Sequence, residues 1–375
     1  MEDNAAGSAC RIHYVRRRCT AKVTETELFA AYRQYYRKIQ LILALALIGI
    51  LVTALGVLVQ GAADISIRTA LQAVLKGVTG TPDTWTAQDK IVLLIRLPRL
   101  LMAMTTGAML AIAGAVMQSI TRNPLVSPFT IGISAAATFG ASLYLLFGYM
   151  LGGVSEIGVM GGAFVMSTIC AAGVYALSQK VGTGATALVL IGIGANYIFS
   201  AGTSILQFFA EEHKLAMIVN WTFGSFTGAD WGQIAVMLPA ALLGGMVLQL
   251  YAQRLNAMIA GDDDVLQTLG TNPERLRKRV GLTAVFVTSI TICFTGIIGF
   301  VGLIAPHIAR MLVGNQHHYL LPFSALLGAW LVLLADAVGH WILAPVVLPV
   351  GVVIAFVGVP LFMHLILRGR GQQWE

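Results

Sequence analysis

The 375-residue chain is 57% hydrophobic and 11% charged, with 40 glycines and a mean hydropathy of +0.79. A soluble domain carries about twice that charged fraction, so a water-soluble globule is excluded. The net charge of +7 and pI near 9.4 would suit a nucleic-acid binder, but the cations gather in particular loops and read as an orientation signal, with no nucleic acid expected. Taken in chain order, the apolar stretches are 39–60, 97–119, 128–147, 157–177, 185–209, 233–255, 280–300, a short 304–313, 319–342 and 349–367. About 20 apolar residues cross a hydrocarbon core of about 30 Å. Inside that core each backbone amide needs an internal partner, so such runs are read as helices. The fold class is therefore an all-α integral membrane protein with ten transmembrane helices. The eighth stretch is too short to span alone and must pack inside the protein or line a wet cavity.

Ten crossings put both termini on one side. With that topology 18 of the 24 Lys and Arg residues fall on the terminal side. The other side holds six: Arg68, Lys76, Lys90, Arg96, Arg99 and Lys214. The positive-inside bias then places both termini in the cytoplasm. Residues 1–38 form a basic cytoplasmic tail, suited to contact with a lipid surface. The tail has no signal-peptide pattern, because the apolar run that follows it is too long for an h-region. Residues 39–368 form the ten-helix domain and 369–375 a short cytoplasmic tail. Within the domain, segment 61–95 lies outside and is amphipathic in places. Segment 256–279 lies inside and carries the acids Asp262, Asp263 and Asp264, then Leu269-Gly270, Pro273 and a basic cluster. It reads as short helices about a tight Gly turn, a docking surface among short connections. Helices 2–5 and 7–10 share a faint pattern. Each block follows an Arg-bearing segment (RLPRLL, RLRKRV) and contains a proline-interrupted turn (NPLVSP, LIAPHIAR). One block starts outside and the other inside, so the pair is an inverted repeat of the kind transporters use.

Cys10 and Cys19 lie in the tail, and Cys170 and Cys293 within spans. No pair has disulfide or zinc spacing, so all four read as free thiols. The many glycines within the spans let helices approach closely. Asp336 is the one acid placed inside a span, where an ionisable group marks a functional site by default. A proton relay and a structural bond to a neighbouring helix both remain open for it. His307 and Arg310 share one helical face, but no second His or acid does, so no metal site is expected. Asn123, Pro124, Pro306, His307, Arg310 and Asp336 read as structural turn and helix-end residues. Asn196, Ser200, Thr203 and Ser204 line the fifth span, where a transport route and interhelical hydrogen bonding are equally open.

The motifs carry a resemblance. Residues 107–132 read GAMLAIAGAVMQSITRNPLVSPFTIG and residues 296–310 read GIIGFVGLIAPHIAR. With RLPRLL, NWTFGSFTGADW, LLADAVGH and LPVGVVIAFVGVPLFMHL, they closely resemble the iron-siderophore, haem and cobalamin permease family over residues 39–368. These are membrane subunits of type II ATP-binding-cassette importers. The resemblance implies a homodimer or close heterodimer with the route at the interface. It also implies two cytoplasmic ATPase subunits, which bind ATP and Mg, and a soluble extracytoplasmic binding protein. Arg96 and Arg99 match the family's rim arginines that hold acidic residues of that protein; as rim residues they would suit carboxylates, and as interfacial anchors they would snorkel. His340 stands where some members have a third Arg. Asp264, Leu266, Leu269 and Gly270 match the family's ATPase-coupling motif, except that Leu266 replaces Ala; Leu266 either meets the ATPase groove or points into the fold. Thr183 and Gly184 fall in the family's inner gate.

No GxxxxGK[ST] loop and no Ser-His-Asp, HExxH or CxxC arrangement occurs. The chain is therefore expected to be a transport subunit and not an enzyme, with no cofactor of its own and hydrolysis on a partner. A bacterial inner-membrane permease for a ferric siderophore follows from the resemblance. Haem or cobalamin as cargo, or an ion-coupled carrier working through Asp336, are the alternatives.

Overall fold

The computed structural model describes residues 25–369, apart from 62, 64, 152, 182–184, 262, 344 and 345, and among these no strand occurs. The expectations for the tail before residue 25, for Cys10, Cys19, Thr183 and Gly184, and for residues 370–375 lie outside the described residues. The chain divides into two compact units, Met1–Leu45 and Ala46–Glu375. The described part of the first is helical. Helix α1 (Glu25–Val59) continues into the second unit, which holds everything that follows.

Next comes α2 (Ile67–Thr79), started by the Ser66 hydroxyl, which accepts from Thr69 N at 3.2 Å. A short α3 (Ala87–Lys90) opens with a Thr86–Asp89 capping box. It runs through a π-helical turn (Ile91–Arg96) straight into α4 (Leu97–Thr121). After a 3-10 turn at Pro128–Ile131 come α5 (Ile133–Phe147), α6 (Glu156–Val181), α7 (Ala185–Phe209) and α8 (Glu212–Thr222). Then follow α9 (Trp231–Leu250), α10 (Ala252–Ala260), α11 (Asp263–Thr268) and α12 (Pro273–Thr295). The last three are α13 (Val301–Val313), α14 (His317–Trp341) and α15 (Val350–Gly369).

Among the described residues eight helices are long and apolar enough to cross a membrane, and α13 and α15 are shorter apolar helices. The differences from the expected spans have local causes. The second span starts earlier, at Ala87, because the π turn keeps the helix continuous through Arg96. The sixth stops at Leu250, where Tyr251 breaks it and α10 begins. The seventh stops at Thr295, because Gly296 takes φ +70° and Phe300 takes φ +62°, turning the chain sharply into α13. Phe300 is not a glycine, so that turn stores about 1–2 kcal/mol of backbone strain.

Helix α4 organises the bundle. Most of its residues are buried, against only Leu188, Gly192 and Thr203 in α7. Its first half joins the core that includes Val57, Ala70, Met237 and Leu333, and its second half joins the core of α5, α6 and α12. Close approach is achieved by omitting side chains. A methyl on Gly107 would collide with the Gly328 carbonyl of α14, and one on Gly114 with the Gly302 carbonyl of α13. In a bilayer, where helix association rests on packing, such contacts hold the helices together.

Adding one methyl therefore tests the bundle. G107A is expected to lower thermal stability in detergent by about 1–3 kcal/mol, the cost of overpacking. G56A, where nothing lies within 4 Å of the added carbon, should not lower it and, by helix propensity, should raise it by up to about 1 kcal/mol.

Candidate functional site

Two polar clusters lie at opposite ends of α4. The first gathers Arg96, Arg99, Asp336 and His340. Helix α1 ends at Val59, leaving its last carbonyls without helical partners. The Arg96 guanidinium takes them: Nη1 donates to Leu58 O (2.7 Å) and Val59 O (2.8 Å), and Nη2 to Ala63 O (2.9 Å). Its positive charge also complements the negative helix end. Arg96 is only 7% exposed. Three hydrogen bonds from Arg96 thus go to backbone and tie α1 to the start of α4.

Arg99, three residues on, faces α14. Its Nε donates to both Asp336 oxygens (3.2 and 3.1 Å) and its Nη2 to Oδ1 at 2.7 Å, a two-point fork on a carboxylate that is 1% exposed. His340 completes the cluster. Its Nδ1 lies 2.8 Å from the Asp336 carbonyl oxygen and 3.3 Å from Arg99 Nη2. Asp336 therefore bonds a neighbouring helix, one of the two roles open from sequence. These residues, with Gln60, Gly61 and Ala337, line a cavity of about 310 Å³.

The second cluster lies at the other end of α4. Arg122 adopts a left-handed conformation (φ 49°) that ends the helix. Its side chain donates to Met258 O (2.9 Å), Gly261 O (2.6 Å) and Asp263 Oδ1 (3.1 Å). Arg277 clamps the same Asp263 with both Nη1 (2.8 Å) and Nη2 (2.7 Å), and its Nε reaches Ile120 O of α4 at 3.2 Å. The Arg277 hydrogen bonds hold the Asp263 carboxyl below its ordinary value of 3.8, against the opposing effect of partial burial, with the Arg277 and Arg122 charges assisting.

Asp263 thereby fixes α11, the expected coupling segment. Leu266 is buried and belongs to the core, so of its two open roles the structure shows the inward one. Asp264 is exposed. Val265 and Leu269 are exposed apolar residues beside it, and Gly270 turns the chain at φ +74°. At the turn after α4, the Asn123 side chain accepts from Leu125 N at 2.9 Å, with Pro124 between them. Arg310 bonds Gln118, whose amide donates to Gly302 O at 3.3 Å. Pro306 is buried within α13, and His307 meets the Phe362 ring edge-on. Sequence reasoning missed a further bolt. The His317 ring joins Asn256 Oδ1 (2.7 Å) to the Ser119 hydroxyl (2.6 Å), linking α14, α10 and α4.

The polar residues of α7 divide. Asn196 donates to Phe129 O at 3.2 Å, and Thr203 is buried and donates to Phe199 O. Ser200 and Ser204 are exposed, and Ser204 donates to the Ser200 carbonyl within the helix. They share the exposed face with Ile193, Tyr197 and Ile205. Among the described residues no His, Cys, Asp and Glu group could hold a metal. Cys170 and Cys293 are buried free thiols.

An all-helical bundle with eight helices long and apolar enough to cross a membrane among the described residues has the architecture of a multi-pass membrane protein. The chain belongs to the FecCD transport family, whose model matches residues 42–368. It is 34% identical to the hemin transport system permease protein HmuU of Yersinia pestis, over 89% of this chain and 97% of that one. It is 38% identical to the cobalamin import system permease protein BtuC of Halobacterium salinarum, over 78% and 76%. A solved structure described as an inward-facing conformation of a metal-chelate type ABC transporter superposes with a TM-score of 0.77 at 32% identity, covering 87% of this chain and 99% of that one. The chain is thus a membrane-spanning permease subunit of a type II ABC importer of the metal-chelate class, a transport component and not an enzyme.

Two measurements test these clusters. Removing one partner of a buried ion pair costs about 3–5 kcal/mol, so D336N should strongly lower thermal stability, and the swap R99D/D336R should regain much of it. A carboxyl held below its ordinary value stabilises the fold fully above that value and loses the contribution as pH falls through the depressed one. The stability gap between wild type and D263N should therefore be constant above about pH 5 and close on further acidification.

Proposed function

We propose that the chain imports a ferric siderophore across the inner membrane of a bacterium, as one of two copies of a homodimer driven by two ATPase chains. Haem and cobalamin, named for the two relatives, are the competing cargoes. The observation that carries the reading is the family match across the whole helical bundle, residues 42–368. ATP and Mg belong to the partner chains.

Each end of α4 has its task in this reading. The Arg277 end faces the cytoplasm, with both termini. There α11 presents Val265, Leu269 and the Asp264 carboxylate to the ATPase, and the Asp263 clamp passes its displacement to α4. The Arg99 end faces outward and receives the binding protein, with Arg99 and His340 at the cavity mouth and Arg96 as its support. The Ser200–Ser204 face of α7 borders the route between two copies. The ion-coupled alternative loses ground, since Asp336 is engaged in a fork with Arg99.

The test is uptake into proteoliposomes holding the permease, the ATPase and the binding protein. Uptake of ferric siderophore should require ATP and all three components. Transport by the isolated chain under a proton gradient would overturn the reading, and selective uptake of haem or cobalamin would overturn the cargo. Within that assay, V265D/L269D is expected to abolish ATPase stimulation while leaving the thermal midpoint unchanged, because both side chains are exposed.

A further inference from the structure

Helix α2 has three faces where a water-exposed helix has two. At about 100° per residue, Ala70, Ala73, Val74 and Gly77 fall on one side. Ala70 and Ala73 are fully buried, and a methyl on Gly77 would press into the Leu93 side chain. Beside them Ile67, Leu71, Leu75 and Val78 cover an arc of roughly 80° and are 46–83% exposed. Arg68, Gln72, Lys76 and Thr79 complete the circle and are also exposed. Lys76 Nζ is bonded to Asp89 at 2.8 Å, which holds the polar face in place.

Buried, apolar-exposed and polar-exposed arcs in succession match three media meeting along one line: protein, hydrocarbon and water. We infer that α2 lies in the membrane surface at the Arg99 end of the bundle, its Ile67–Leu71–Leu75–Val78 stripe sunk among acyl chains and its Arg68–Lys76 side at the headgroups. A surface-lying helix combines this high amphipathicity with basic residues on its polar side.

The neighbourhood identifies lipid as the occupant. Only seven residues separate α2 from the end of α1, whose Leu47, Ile48, Leu51 and Val52 are exposed along an apolar span. Leu94 and Ile95 are exposed as well, so apolar side chains also lie open on the π turn that α2 packs against through Gly77 and Leu93. Arg96 sets the geometry by bonding the chain at Leu58, Val59 and Ala63.

The test places single cysteines in the assembled complex in bilayers, with the four native cysteines replaced by alanine, and attaches a nitroxide label to each. L71C, L75C and V78C should collide more with oxygen than with a water-soluble nickel chelate, while Q72C and T79C should show the reverse ratio. Equal access of the nickel chelate to both sets would overturn the proposal. So would shielding of the stripe from both agents, which would mean that protein covers it. A measurement without substitution guards against misfolded variants. Hydroxyl-radical footprinting of the unsubstituted complex in lipid nanodiscs should leave Leu71 and Leu75 unmodified whether or not the binding protein is added. Protection that appears only with the binding protein would overturn lipid as the occupant.

Discussion

The bundle depends on backbone meeting backbone where α4 crosses α14 and α13. Gly107 against Gly328 and Gly114 against Gly302 bring the helices to a separation that no side chain permits. In lipid no hydrophobic gain rewards such an approach, so it rests on dispersion and on polar bonds between helices. Those bonds sit at the two ends of the α4–α14 contact, Arg99 with Asp336 at one and Ser119 with His317 at the other. Each places a polar group where it must be satisfied by protein, which fixes the register between the glycines.

The same helix carries both polar clusters. Around its start, α1 and α14 are held by two arginines three residues apart, Arg96 and Arg99, and its last turn is held by Arg122 and Arg277 to the segment around Asp263. A displacement of α11 thus meets α4 through a short chain of charge-assisted bonds. The exposed surface of α11 sets the apolar Val265 and Leu269 among the polar Asp264, Gln267 and Thr268, beside a glycine turn. The acidic cluster seen in the sequence is split: Asp263 works inside the fold, and Asp264 stands at the surface.

The helical class was legible because long apolar runs have one solution in a bilayer. Span ends were less so. Nothing in the composition of IVLLIR separates a π turn from a loop, and Tyr251 interrupts a helix without Gly or Pro. Arg96 illustrates the limit at the site. Sequence supplies a charge near a span end, but its partners are carbonyls more than 30 residues away, and carbonyls have no sequence signature. The His317–Asn256–Ser119 bolt joins three distant segments, so no local pattern announces it. Leu266 could be read both ways because a helical Leu next to an exposed Val has two faces available, and only packing decides between them.

Helix α7 shares little surface with its own chain, and the part it leaves uncovered is mostly aliphatic and aromatic. To acyl chains that surface is an ordinary neighbour. That surface can therefore stay against the bilayer without penalty. Any protein settling there would face a question of contour: it would have to fit α7 more closely than fluid lipid does.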